Sequence, residues 1–140
     1  SKLVENQIDF VWLNTGGVQG LASVSHAAAM MEMMGVPYLG HDPLTGALLD
    51  SKHSFKSVMT GAGIPTADFI TWHGNAGRLE PRHNHRYQKV FGDYPGPFIV
   101  KPVSGRASLN IEFVETPEQL GDAVQKVFEL TRNFVMVERY

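Results

Sequence analysis

The 140-residue chain is 43% hydrophobic with 14 glycines, enough apolar material for one domain or two small lobes and too much for a disordered segment. Its 12 Lys plus Arg against 14 Asp plus Glu leave a formal net charge of -2, so no basic field points to nucleic acid or a membrane surface. The absence of cysteine removes disulfides, thiolate metal sites and cysteine nucleophiles, and no signal peptide or membrane-spanning run is present, which makes a cytoplasmic setting the expectation.

Ile8 to Leu13 (IDFVWL) is β-prone and ends at Asn14-Thr15-Gly16-Gly17, the order of a buried parallel strand followed by a tight turn. The two glycines allow close ligand approach but lack the full dinucleotide fingerprint. A helix is predicted over Gln19 to Met34, with Val24, Ala27, Ala28, Met31 and Met34 on one face and Gly35 as its stop. The methionines read as core filler and His26 as an ordinary helix residue.

Gly35 to Gly40 (GVPYLG) reads as a short strand between breakers. Asp42 can cap a helix that begins at Pro43 and reaches about Leu48, and Asp50 can cap another over Ser51 to Ala62, stopped by Gly63. Lys52 and Lys56 are four residues apart and project from nearly the same face, which a solvated surface would explain equally well. Ala67 to Trp72 has a strand's composition. His73 to Asn84 turns polar, with Gly74, Gly77 and Pro81, and marks a loop or insertion. His73, His83 and His85 show no recognised ligand spacing, so no metal site is expected on them. A short helix over Tyr87 to Phe91 closes the excursion.

The stretch Pro97 to Ser108, PFIVKPVSGRAS, carries the chemistry. Phe98, Ile99 and Val100 read as a buried strand that delivers Lys101 to its end beside a small-residue turn, a common way to place a cation over a phosphate. Leu109 to Val114 is a further strand. Thr116-Pro117-Glu118-Gln119 is a helix start with a capping box, and Leu120, Ala123, Val124, Val127 and Leu130 form its apolar stripe. Phe134 to Val137 supplies a last strand. Strands near 68, 98, 110 and 135 with a helix before the last describe a small α+β lobe.

The phrases GVPYLG, LDSKHSFK, GAGIPTADF, FIVKPVSGRASLNIEFV and FVMVERY together resemble the amino-terminal and central part of an ATP-grasp ligase, most similar to the D-alanine:D-alanine ligase group. The likeness runs from Asp9 to Tyr140. It implies an α/β fold in which a partial Rossmann-like (pre-ATP-grasp) lobe over residues 1–66 precedes a small α+β ATP-grasp subdomain over 67–140. It also implies that Lys56 and Lys101 contact ATP phosphates and that residues from Ser104 through Gly105 and Ser108 to Asn110 form the loop covering them. By the same likeness Glu138 meets the adenine amino group, while Arg139 and Tyr140 begin the hinge beside the base. In this loop Arg106 and Asn110 stand where the family pattern has glycine, and Arg106 could itself meet a phosphate.

What the resemblance implies for activity is an ATP-dependent carboxylate-amine ligation through an acyl phosphate. ATP and Mg are its cofactors, with the Mg ligands outside these 140 residues. Small-molecule carboxylate and amine substrates, amino acids among them, and a homodimer are its partners. The abrupt ends suggest a fragment, and a fragment without the Mg-binding region is expected to lack turnover alone. Other readings stay open: a different ATP-grasp enzyme such as a carboxylase, or a noncatalytic α/β binding or assembly module with solvated lysines.

Overall fold

The computed structural model describes residues 2–14, 23–105 and 108–140. The expected glycine turn at Thr15-Gly16-Gly17, the first turn of the helix at Gln19, and Arg106 lie outside the described residues. The chain forms two compact units, Ser1–Ser51 and Lys52–Tyr140, so the helix that carries Lys56 belongs with the later residues.

The first unit contains α1 (Lys2–Glu5), β1 (Val11–Trp12), α2 (Ser23–Met34), β2 (Tyr38–Leu39) and α3 (Pro43–Asp50). β1 and β2 pair in parallel, Val11 opposite Tyr38 and Trp12 opposite Leu39. A parallel pair needs a crossover, and α2 lies in that connection. α2 buries Ala28 and Met31, and Gly35 stops it at φ +66, a backbone conformation that glycine takes without side-chain cost. His26 is exposed. The Asp42 carboxylate accepts from the Thr45 N–H at 2.9 Å and Pro43 opens α3, as the sequence predicts.

Two expectations change in this unit. The strand over Ile8 to Leu13 is reduced to Val11–Trp12, whose partner among the described residues is the short β2, and it is not buried as expected, since Trp12 is 72% exposed. Asp50 is the last residue of α3, so the helix expected to end near Leu48 runs two residues further, and the helix expected from Ser51 begins at Lys52. The Ser51 N–H still reaches Ala47 O at 3.2 Å, so the α3 ladder runs past Leu48.

The second unit starts with α4 (Lys52–Gly61), followed by β3 (Phe69–Trp72), α5 (His85–Phe91), β4 (Phe98–Pro102), β5 (Glu112–Val114), α6 (Leu120–Thr131) and β6 (Val135–Arg139). The strands make one antiparallel sheet in the order β3-β6-β4-β5. Strand side chains alternate between faces, and here the alternation separates core from site. One face presents Ile70, Phe98, Val100, Val114, Val135 and Val137, which join Leu120, Val124, Val127 and Phe128 of α6 and Tyr87 and Phe91 of α5 in a single core. The other face carries Thr71, Ile99, Lys101, Met136 and Glu138.

Local signals explain the borders. Asn84 caps α5 by accepting from the Tyr87 N–H at 2.9 Å. Gln119 Oε1 accepts from the N–H groups of Glu115 and Thr116 at 3.1 and 3.3 Å, the acceptor half of the expected capping box, and Pro117–Gln119 forms a 3-10 turn that leads into α6. The polar segment His73 to Asn84 holds two more 3-10 turns, Gly74–Ala76 and Pro81–His83. The strand expected from Leu109 begins only at Glu112. Ser108 and Asn110 sit at φ +55 and +58, left-handed values that break an extended strand.

Candidate functional site

The sheet register builds the site. Glu138 lies opposite Ile99 on β4 and Phe69 on β3, and Lys101 lies opposite Met136, two residues before Glu138 on the same face. The Glu138 carboxylate bridges two ammonium groups. Lys56 Nζ donates to Oε1 at 3.0 Å, and Lys101 Nζ stands 2.5 Å from Oε2.

Burial makes these charges matter. Lys56 is the one charged residue in the buried class among the described residues, at 8% exposure. Its ammonium also lies 5.1 Å from the centroid of the Phe69 ring. Burial pushes the Glu138 carboxyl up, but the bonds and charges of Lys101 and Lys56 outweigh that and hold it below the ordinary carboxylate range. The cluster is thus an ionised carboxylate between two cations, with one positive charge in excess. Polyanions are the ligands such an excess favours.

The strand end beyond Lys101 is held from two sides. Lys52, the first residue of α4, donates its backbone N–H to Val103 O at 2.9 Å, and its ammonium reaches Gly105 O at 3.0 Å and Val103 O at 3.5 Å. Asn133 Nδ2 donates to Ser104 Oγ at 2.5 Å. A hydroxyl that accepts in this way keeps its own proton for donation. Gly105 adopts φ +127. Ser108 is exposed, three residues further on.

Arg139 and Tyr140 are placed differently from the cluster. Arg139 follows the strand alternation to the opposite face, where its guanidinium stacks 4.0 Å from the Tyr94 ring centroid and meets Asp68 Oδ2 at 3.4 Å. The Tyr140 N–H donates to Pro97 O at 3.1 Å, and its ring makes an edge contact with Phe113 at 5.3 Å. The structure brings Lys56, Lys101 and Glu138 together, a carboxylate bridge that the sequence did not predict, and Ser104 and Gly105 follow Lys101 in the turn beyond β4. Sequence reasoning missed Lys52 and Asn133 as the partners of that turn. The four-residue spacing of Lys52 and Lys56 was a usable signal, whereas nothing local marked Asn133.

The His73 ring packs edge-on to Phe128 and Phe134 at 5.1 and 4.7 Å, and its Nδ1 accepts from the Asn75 N–H at 3.2 Å. Two surface cavities of about 420 Å³ lie elsewhere, one lined by Thr60, Ile64, Phe69 and Val90 and one by Tyr87, Tyr94 and Pro117. Neither includes Lys56, Lys101 or Glu138. Among the described residues no three His, Asp or Glu groups converge as a metal site, and no helix is long and apolar enough to cross a membrane.

The family model described as the D-ala D-ala ligase C-terminus matches residues 58–140, more than half of the chain. The chain belongs to the D-alanine–D-alanine ligase family. This family member is 32% identical over 124 residues to the uncharacterized protein y4sG of Sinorhizobium fredii, covering 89% of this chain and 33% of that protein. With a D-alanine–D-alanine ligase of a Synechococcus species it shares 25% identity, covering 94% of this chain and 38% of the relative. Among solved structures, the D-alanine–D-alanine ligase from Bacillus anthracis superposes with a TM-score of 0.76 at 26% identity, over 99% of this chain and 42% of that one. A structure of that ligase complexed with ATP gives the same score and identity. The chain spans about 33 to 42% of the length of the curated relatives it matches. Its mixed α/β architecture is thus that of the ATP-grasp D-alanine–D-alanine ligase group.

Proposed function

We propose that this chain supplies the ATP-binding small lobe, together with a partial Rossmann-like segment before it, of an ATP-dependent carboxylate-amine ligase. The observation that carries the reading is the Lys56–Glu138–Lys101 cluster, in a chain whose family relatives include a ligase crystallised with ATP. In this reading Lys56 and Lys101 exchange their shared carboxylate for phosphate oxygens, whose greater charge binds both ammonium groups. The Ser104 hydroxyl donates to the same phosphates, and the amides of Gly105 and Ser108 line the turn above them. Glu138 accepts from the adenine amino group. Arg139 and Tyr140 set the backbone beside the base.

ATP would bring a transferable terminal phosphoryl group, which activates a carboxylate for attack by an amine. The residues described here bind and orient it. They furnish cations toward the phosphates. The substrates proposed are small carboxylates and amines, amino acids among them, in a cytoplasmic setting.

The test is an ATP titration with and without Mg, comparing the chain with its Lys101→Ala variant. Loss of a cation paired to phosphate should weaken binding by about tenfold or more. Equal behaviour of the two proteins would remove the phosphate site and leave a noncatalytic assembly module as the better reading. Product analysis with D-alanine, other amino acids and ATP on a longer natural chain would then identify the amide formed.

A further inference from the structure

We propose that Tyr94 is a positioning residue for the adenine half of the nucleotide site, because it fixes the end of β6 at Arg139–Tyr140, the backbone set beside the base. The inference rests on the ATP-binding reading and adds to it a side chain that acts from the far side of the sheet.

The order β3-β6-β4 puts the end of β6 between two neighbours, and its last backbone bonds run to both sides. The Arg139 N–H donates to Asp68 O at 3.0 Å, and the Tyr140 N–H donates to Pro97 O at 3.1 Å. Arg139 faces Phe98 in the register, so Tyr140 and Pro97 meet where an antiparallel pair exchanges two bonds. Here the return bond cannot form, because proline has no N–H to give to Tyr140 O. The Tyr94 hydroxyl stands at that point. It donates to Pro97 O at 3.0 Å and lies 3.4 Å from Tyr140 O, so one phenol reaches both carbonyls of the incomplete pair.

The rest of Tyr94 holds the hydroxyl in place and grips Arg139. Its N–H donates to Phe91 O at 3.0 Å, and its ring meets the buried Phe98 edge-on at 5.2 Å. The Arg139 guanidinium lies 4.0 Å from the ring centroid, within cation–π range, and also meets Asp68 Oδ2 at 3.4 Å. Residue 139 is therefore tied on the β3 side by Asp68 and on the β4 side by Tyr94. Both ties are made away from the ligand. Tyr94 packs against the core with Phe98, whereas Glu138 projects from the opposite face, so Tyr94 acts on a nucleotide only through the backbone. A strand end that lacks a ladder bond frays, and a ligand that reads its backbone must then order it. A phenol that completes the pair spares the ligand that ordering. The proposed phosphate contacts start toward the other end of β4, at Lys101, so the tie bears on the base rather than the phosphates.

Two measurements separate this tie from general stability. Amide exchange of the nucleotide-free chain, followed by NMR, should rise roughly fivefold at Arg139 and Tyr140 in Tyr94→Phe, with Met136 and Val137 still protected. In Tyr94→Leu, which also removes the Arg139 stack, the rise should reach about twentyfold. Affinity for ATP should fall about threefold and tenfold in these variants, while that for inorganic tripolyphosphate, which has no base, stays within about twofold of the parent. Unchanged exchange at Arg139 and Tyr140 in Tyr94→Phe would overturn the proposal even if ATP binding fell. An equal loss of tripolyphosphate binding, or exchange that rises throughout the unit, would overturn it as well. If the parent chain bound no ATP, the proposed function would fail, and the exchange pattern alone would still decide whether Tyr94 holds this strand end.

Discussion

At the scale of the residue, Glu138 is the point on which charge and burial meet. Its side chain is 17% exposed, against 10% and 20% for those of Lys56 and Lys101, so removing the carboxylate leaves two half-desolvated cations together. Glu138→Ala should cost about 2 to 4 kcal/mol in urea unfolding. Replacing the whole cluster, as Lys56→Met with Lys101→Met and Glu138→Leu, should recover most of it, since apolar groups of similar volume need no compensation. A triple variant no more stable than Glu138→Ala would show that the cluster holds the fold together. The pH dependence follows from the lowered carboxyl. The folded state favours the ionised form, so the stabilisation is complete above the glutamate's unfolded pKa and is lost as pH falls through the lower folded value. Acid unfolding curves of the parent chain should therefore be steeper than those of Glu138→Gln across the acidic range, and parallel curves would remove this linkage.

At the scale of the element, two glycines predict opposite outcomes. A Cβ at Gly74 would overlap the ring of Phe128, which anchors α6 in the core, so Gly74→Ala must shift that ring or the 3-10 turn. A cost of about 1 to 3 kcal/mol is expected. Gly61, the last residue of α4, would place a Cβ in open space. Gly61→Ala should raise stability by about 0.5 kcal/mol through reduced freedom of the unfolded chain. Thermal unfolding of both variants is the measurement, and a stabilised Gly74→Ala would refute the packing argument. Element type was legible where a local rule stood alone: Asp42 before Pro43, Thr116-Pro117 before an apolar stripe, and the apolar run Phe98 to Val100 that ends in Lys101. The sequence did not disclose lengths that depend on a partner. Val11–Trp12 is as short as the β2 it pairs with, and Glu112 starts β5 because Asn110 takes a left-handed turn. The latter also bears on the glycine-poor loop, since asparagine tolerates that conformation better than most residues.

At the scale of the whole molecule, the site was legible as a set of residue types, and its joining came from long-range register. Lys56, Lys101 and Glu138 are brought together by α4, β4 and β6, and no window of sequence contains all three. The same long-range pairing concentrates the apolar core in one unit. Ala28 and Met31 are the buried hydrophobic residues of Ser1–Ser51 among the described residues, and the others lie in Lys52–Tyr140. Trp12 and Met33 are 72% and 88% exposed in the first unit. The described residues of this unit bury little apolar surface to set against its conformational entropy. The chain should therefore unfold in two steps, the first unit at lower urea concentration. Trp12→Phe leaves Trp72 as the single tryptophan and a reporter of the second unit, where its indole N–H donates to Gly77 O at 2.8 Å. Helical circular dichroism should fall in part, as the first unit's helices melt, before Trp72 fluorescence changes at all. Lys101→Ala should leave the early step unmoved, since that residue belongs to the second unit. Coincident dichroism and fluorescence curves would show that the units fold as one cooperative body, with the first depending on the second for its stability.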